Sequence, residues 1–131
     1  MDCPRCELGL AKTDYEGVAV DMCNECLGVW LDNGELQLIL DLDRFQFSAA
    51  EKAALLDPNR HLRPGPTEPA ACPRCGETMR QQHYDAAVHL IIDQCRKHGV
   101  WLDTGEIKQV QAISEQSQAI HRMLLQKLGL L

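Results

Sequence analysis

Metal-ligand residues in four pairs of equal spacing constrain this chain more than any other feature. Two residues separate the members of each pair, which lets one tight turn present both side chains to one ion. The pairs are Cys3 with Cys6, Cys23 with Cys26, Cys72 with Cys75, and Cys95 with His98. A closed tetrahedral zinc site takes four such ligands, and a hairpin between two pairs would bring them together. The pattern predicts two zinc ions per chain, one on four thiolates and one on three thiolates and an imidazole.

The cysteine count and the start of the chain favour metal over disulfides. Seven cysteines cannot all pair, and MDCPRCELGL meets charge at Asp2 and Arg5 instead of forming an apolar export segment. No stretch approaches the roughly 20 apolar residues of a membrane span. We therefore expect a reducing cytoplasm and no membrane partner. Unpaired core cysteines and redox dithiols are alternatives, and iron is the rival metal, which the imidazole of His98 disfavours.

The ligand pairs belong to an internal duplication. MDCPRCELGL at the start returns as ACPRCGETMR, and GVWLDNGEL returns as GVWLDTGEI. The two units, each of about 35 residues, are the first repeat (residues 2–37) and the second repeat (71–108). Between them, residues 57–71 contain four prolines. Proline interrupts helices and central strands, so an extended linker is expected, with a surface loop of one compact domain as the alternative.

Each repeat is expected to form a hairpin followed by a helix. GVAVDM alternates apolar and polar residues, as a strand with one covered face does, whereas AVHLIID predicts a strand buried on both faces. Helices are expected over residues 33–44, 49–56 and 104–128, the second beginning after Ser48. An apolar stripe follows the long last helix. It would pack within the chain, form a homodimer through this helix, or contact a different protein.

The whole motif, C-P-x-C, a hairpin, and C-x-x-C-x-G-V-W-L-D-x-G-E, resembles the transcription-factor-IIB-type zinc-ribbon (transcription factor zinc-finger) family in two tandem copies. The resemblance implies a small zinc-stabilised α+β fold of two zinc ribbons, each a β-hairpin with two metal knuckles followed by an α-helix. It implies zinc on the seven cysteines. His98 stands where the family has a fourth cysteine, so its role depends on spacing and chemistry. The predicted domains are 1–56, with the first ribbon and its helices, the linker 57–71, and 72–131, with the second ribbon and the long helix.

Acidic residues repeated after each tryptophan predict a structural joint. Asp32 with Glu35, and Asp103 with Glu106, have the spacing of a helix capping box. The two tryptophans are expected to lie against the hairpins beside the metal. A second metal site or an acid–base pair is the alternative, but no nucleophile or open ligand set accompanies these acids.

Charge argues against a nucleic-acid partner. The formal charge of −6 becomes about −9 when zinc binds both thiolate sets. The second repeat is the less acidic one, and its candidate phosphate contacts are Arg74, Arg80, Arg96 and Lys97. We expect a non-enzymatic, protein-binding adapter, with the transcription machinery as one candidate partner. A nucleic-acid-binding transcription regulator acting through the second repeat is the alternative, and a zinc or thiol enzyme ranks third.

Overall fold

Strands from both repeats form one antiparallel sheet in this computed structural model, which describes residues 1–42, 47–57, 68–85, 90–116, 123 and 125–130. The sheet has six strands in the order β1-β2-β3-β6-β5-β4. The elements within the described residues are β1 (Ala11–Tyr15), β2 (Val18–Met22), β3 (Val29–Asp32), α1 (Glu35–Leu42), α2 (Ala49–Leu55), β4 (Arg80–Asp85), β5 (Leu90–Cys95), β6 (Gly99–Leu102) and α3 (Glu106–Gln116). The predicted mixed α+β class is therefore confirmed.

The two predicted hairpins are present. In the first repeat, Tyr15 pairs with Val18 around a two-residue turn whose residues, Glu16 and Gly17, have φ angles of 51° and 94°. Two positive φ angles give the turn a twist that matches the strands it joins. In the second repeat, every residue of β5 except Ile91 is buried, and the β4–β5 pairing contains an irregularity between His83 and Asp85. The different burial of β2 and β5 follows the sequence pattern.

A third strand in each repeat, formed by the W-L-D segment, joins the two halves of the sheet. β3 pairs antiparallel with β6, and Trp30 stands opposite Trp101. At Gly99 a Cβ atom would overlap the backbone carbonyl of Leu31, so the close approach of the two strands requires glycine there. The sequence pattern predicts only a hairpin and a following helix in each repeat, so this third strand is an addition to the predicted elements. Pairing with the other repeat keeps residues up to Asp32 extended.

The sheet separates two buried clusters. Because successive side chains of a strand point to opposite faces, Val29 and Leu31 lie in a cluster with residues of α1 and α3, whereas Trp30 lies in a cluster with the cysteines. Trp101 repeats the arrangement from the second repeat, and neither tryptophan has exposed surface. The predicted position of the tryptophans beside the ligand residues is confirmed.

The helices agree in part with their predicted bounds. α2 begins after Ser48, and Ser48 with Glu51 forms the predicted capping box. α1 starts two residues later than predicted. The middle of the predicted 104–128 helix lies outside the described residues, but Val110 and Ile113 of α3 are buried in the core, which agrees with packing within the chain. Most of the predicted linker, residues 58–67, also lies outside the described residues, and the predicted domain boundaries stay a prediction.

In the part of the chain that the structure describes, none of the helices has the length and apolar character needed to cross a bilayer.

Candidate metal centres

The first centre consists of the four cysteines of the first repeat. Their sulfur atoms all lie within 4.8 Å of one another, and the Sγ atoms of Cys3 and Cys26 are 3.7 Å apart. A tetrahedral zinc ion with Zn–S bonds of about 2.3 Å needs sulfurs about 3.8 Å apart. The described side chains therefore fit zinc, and this group could hold one ion. Cys3 and Cys23 are buried, and Cys6 and Cys26 are partly buried.

Short hydrogen-bonded turns present these sulfurs. The Glu7 N–H donates to the Cys3 carbonyl at 2.9 Å, and the Leu27 N–H donates to the Cys23 carbonyl at 2.8 Å. In the first turn the N–H groups of Arg5 and Cys6 point to the Cys3 sulfur at 3.4 and 3.3 Å. Such bonds favour a thiolate over a thiol, because the N–H dipoles stabilise its negative charge.

The second centre contains Cys72, Cys75, Cys95 and His98, again within 4.8 Å of one another. His98 Nδ1 lies 3.5 Å from the Cys95 sulfur and 3.8 Å from the Cys72 sulfur, so Nδ1 is the ring atom that faces the other donors. The Cys75 side chain is exposed, which makes this centre more open than the first. The structure brings the three sulfurs and the imidazole together, and this group could also hold one zinc ion.

Among the described residues, no other histidine joins either donor group. His83 lies exposed on β4 and outside both groups. His61, His89 and His121 lie outside the described residues.

Burial makes the side chains of Cys3 and Cys72 poor thiolates unless a cation is near. It raises the pKa of the Cys3 thiol to about 12 and that of Cys72 to about 11, because a thiolate loses its hydration when it is desolvated. Metal binding to these residues must therefore release protons.

An arginine between the two cysteines of each C-P-R-C turn binds an aspartate of the other repeat. Arg5 Nε and Nη2 donate to the two carboxylate oxygens of Asp103, both at 3.2 Å. In the reciprocal pair, Arg74 Nη2 donates to Asp32 Oδ2 at 2.7 Å, and Arg74 Nε donates to Asp32 Oδ1. The Arg74 guanidinium lowers the pKa of Asp32 to about 2. Each metal turn is thus fixed to the W-L-D segment that follows the other metal centre.

The indole N–H of each tryptophan completes the same joint. Trp30 Nε1 donates to Asp32 Oδ1, and Trp101 Nε1 donates to Asp103 Oδ1, both at 2.9 Å. Because a buried indole N–H is costly without an acceptor, the aspartate two residues later explains why tryptophan and aspartate recur together.

The polar residue after each aspartate also contacts the metal turn of the other repeat. Asn33 Nδ2 donates to the carbonyls of Arg96 and Lys97, and the Asn33 N–H donates to the His98 carbonyl at 2.9 Å. The Thr104 hydroxyl donates to the Cys26 carbonyl. The two centres are therefore connected in both directions.

These contacts correct the predicted role of the aspartates as helix caps. Asp32 belongs to β3, and the carbonyl of Gly34 accepts the first bond of α1, from Leu38 N–H at 3.0 Å. Both aspartate side chains bind tryptophan and arginine instead. One half of the predicted box exists, since Glu106 Oε1 accepts from the Asp103 N–H at 2.6 Å.

Both repeated glutamates lie where desolvation favours the protonated carboxyl group. Burial raises the pKa of Glu106 to about 9, and the nearby Asp103 carboxylate adds to this rise. Burial and the Asp32 carboxylate raise the pKa of Glu35 to about 7. In both cases the charged form loses hydration and meets a neighbouring negative charge, so the neutral form is favoured.

The predicted nucleic-acid contacts are not equivalent. Arg74 is held by Asp32, whereas Arg80, Arg96 and Lys97 are exposed and form no ion pair among the described residues. Sequence reasoning missed the role of Arg5 and of Arg74 as joint residues. The signal available was the repetition of arginine at the same place in both C-P-R-C turns.

Comparison with known proteins gives one family. A family model described as transcription factor zinc-finger matches residues 2–42, which is less than half of the chain and contains the first repeat. Searches of curated proteins and of solved structures find no match. Over residues 2–42 this chain is similar to a zinc-finger family, and its second repeat adds a further candidate zinc centre.

Proposed function

We propose that this protein is a non-enzymatic, zinc-stabilised adapter that binds another protein. The observation that carries the proposal is the donor count at the two centres. Each offers four protein donors, and four donors fill a tetrahedral zinc ion without leaving a position for substrate or reactive water. A metal used in this way contributes to folding instead of to catalysis.

The reciprocal joint supports the same role. The two centres are connected through buried tryptophans, the aspartates after them, and arginines from opposite repeats. A scaffold fixed in this way presents its surface with little loss of conformational freedom on binding, which favours affinity. The first repeat is the more acidic one, which favours a protein partner with basic groups over a phosphate backbone.

Nucleic-acid binding through the second repeat is the second candidate. It is favoured by Arg80, Arg96 and Lys97, whose side chains are exposed. The net charge of the whole chain opposes it.

Affinity capture with the zinc-loaded chain tests the proposal, performed with and without nuclease on extracts of the source cells. We expect a stoichiometric protein partner that survives nuclease and is lost after zinc is removed. Capture that disappears with nuclease, together with salt-sensitive DNA binding lost in an Arg96→Glu, Lys97→Glu variant, would favour the second candidate. The matched control is Lys127→Glu, a charge reversal at an exposed lysine outside the second repeat.

A further inference from the structure

Two leucines at the metal turns of the first repeat expose much of their side chains. Leu8 is 52% exposed and Leu27 is 54% exposed, while the cysteines beside them are buried or partly buried. Leu8 follows the Cys3–Cys6 turn, and Leu27 follows Cys26 in the turn that begins at Cys23. The convergence of the four sulfurs therefore places both leucines at the same end of the first repeat. In the second repeat the residue corresponding to Leu8 is Glu77, so this apolar end is specific to the first repeat.

Leu27 is also held in a backbone conformation that leucine disfavours. Its φ angle is +61°. Leu27 directly follows the second cysteine of a C-x-x-C turn, and the residue at the same place after the Cys72–Cys75 turn is Gly76, with a φ of +78°. Both N–H groups make the same bond, to the carbonyl of the first cysteine, at 2.8 Å. A left-handed conformation costs free energy in residues other than glycine. Leu27 regains little of this by burial, because more than half of its side chain is exposed.

The inner side of this turn is already covered by the second repeat. Trp101 fills the space beside Gly28, where a Cβ atom would overlap its ring, and the Thr104 hydroxyl binds the Cys26 carbonyl. The Leu27 side chain is therefore on the side of the turn that the rest of the described chain leaves open.

Three exposed acidic residues stand close to the two leucines in the sequence. Asp2, Glu7 and Glu25 are exposed and form no ion pair among the described residues. The two bases of residues 1–35 do not offset them, since Arg5 binds Asp93 and Asp103, and Lys12 binds the buried Asp21 at 3.2 Å. Zinc on four thiolates would add a net charge of about −2 at the same end.

We propose that this leucine surface, formed by Leu8 and Leu27 with the acidic rim Asp2, Glu7 and Glu25, docks a segment of another protein that presents apolar side chains between lysines or arginines. The proposal rests on the adapter function and names the surface that performs it. Charge complementarity selects the occupant. Nucleic acid and anionic lipid are negatively charged, so the acidic rim would repel them. A second copy of this surface would place one acidic rim against another.

Three synthetic peptides of about 16 residues provide the probe. The first has leucines at helical spacing flanked by lysines, and the second has glutamate in place of every lysine. A third peptide keeps the lysines and replaces the leucines with serine. Each is added to the zinc-loaded, 15N-labelled full chain. We expect only the lysine–leucine peptide to bind, with amide shift changes concentrated at Glu7, Leu8, Glu25 and Leu27.

Variants that carry residues of the second repeat separate binding from folding. Leu27→Gly introduces the residue found at Gly76, and Leu8→Glu introduces the residue found at Glu77. Each variant should lower the affinity for the lysine–leucine peptide by at least about tenfold. Leu27→Gly should keep both zinc ions, and its melting temperature should not fall, because glycine accepts the backbone conformation. The control is Leu38→Gln, which removes an exposed leucine from α1 and should change affinity by less than about twofold.

Several outcomes would overturn the assignment. They are equal binding of the lysine–serine peptide, binding unchanged in Leu27→Gly, or shift changes centred elsewhere. Self-association of the chain that Leu27→Gly abolishes would assign the surface to a second copy instead. Failure of this surface can be distinguished from failure of the adapter function. If extracts yield a protein partner whose capture is unaffected by Leu8→Glu and Leu27→Gly, the function stands and this surface is wrong.

Discussion

Arg5 and Arg74 occupy equivalent positions but different environments. Arg5 has a side chain only 13% exposed and contacts Asp93, which is 3% exposed, whereas Arg74 is 40% exposed in its pair with Asp32. Removing one partner of a buried pair leaves an uncompensated charge in a medium that solvates it poorly. An exposed ion is solvated by water when its partner is lost. The same arginine in the two repeats therefore differs in its contribution to stability.

Arg5→Ala is expected to lower the free energy of unfolding by about 3 kcal/mol, because Asp93 remains buried without a cation. Arg74→Ala, the matched control, should lower it by no more than about 1 kcal/mol. Urea denaturation of the zinc-loaded proteins measures both values. Equal losses of unfolding free energy in the two variants would contradict the prediction, because they would show that the burial of Asp93 does not make Arg5 more important than Arg74.

Glu106 makes the stability of the fold depend on pH between about 4.5 and 9. Its folded-state pKa of about 9 lies above the ordinary value of 4.5, so the folded chain retains a proton that the unfolded chain releases between these pH values. The contribution of this group to stability is present below pH 4.5 and decreases as pH rises towards 9.

Glu106→Gln should remove that dependence, because glutamine can still accept from the Asp103 N–H but does not titrate. Between pH 6.5 and 8.5 the wild-type protein should lose on the order of 2 kcal/mol of stability relative to the variant. Denaturation at the two pH values checks this. Glu51→Gln serves as the control, since the Ser48 N–H and hydroxyl lower the pKa of Glu51 and it stays ionised throughout this range. A parallel pH response of wild type and Glu106→Gln would contradict the prediction.

At the scale of elements, the β3–β6 pairing depends on the absence of a side chain at residue 99. The Leu31 carbonyl occupies the place that a Cβ atom of residue 99 would take, and backbone cannot move aside as a flexible side chain can. Overpacking of this kind forces the surrounding structure to shift.

Gly99→Ala should destabilise the protein by about 2 kcal/mol and weaken protection of the β3 and β6 amides from hydrogen exchange. Gly9→Ala is the control, because nothing lies within 4 Å of a Cβ atom there. Exchange rates in β3 that stay unchanged in Gly99→Ala would show that the joint tolerates the added atom.

Local signals account for what could be predicted of the fold and of the centres. The two-residue spacing of the ligand pairs is a property of one turn, and the alternation in β2 is a property of one strand, so both can be read from neighbouring residues. The β3–β6 pairing joins two short strands from different repeats, and the Asp32-to-Glu35 spacing favoured a helix cap at the same place. Arg5 lies between two ligands in the sequence, and this position alone does not indicate that its partner is Asp103, which is far away along the chain.

At the scale of the whole molecule, the two centres should differ in how they respond to changes of their ligands. His98→Ala leaves three thiolates at the second centre, one donor fewer than a closed tetrahedral site needs. We expect the purified variant to fall from two bound zinc ions to one, as measured by elemental analysis. His98→Cys should retain two ions because it restores the fourth donor.

His83→Ala is the control, since His83 lies outside both donor groups, and it should retain two ions. Two firmly held ions in His98→Ala, with the loss of one in His83→Ala, would show that the fourth ligand is assigned wrongly.

The facing of Trp30 and Trp101 across β3 and β6 gives the molecule the geometry of a two-fold dimer within one chain. In a dimer of identical subunits, the contact weakens on dilution and every substitution appears on both sides. Here the covalent connection makes association independent of protein concentration. It also allows a substitution to occur in one half alone. The first repeat therefore carries Leu27 beside acidic residues, and the second carries Arg96 and Lys97. Two identical chains could not have this asymmetry.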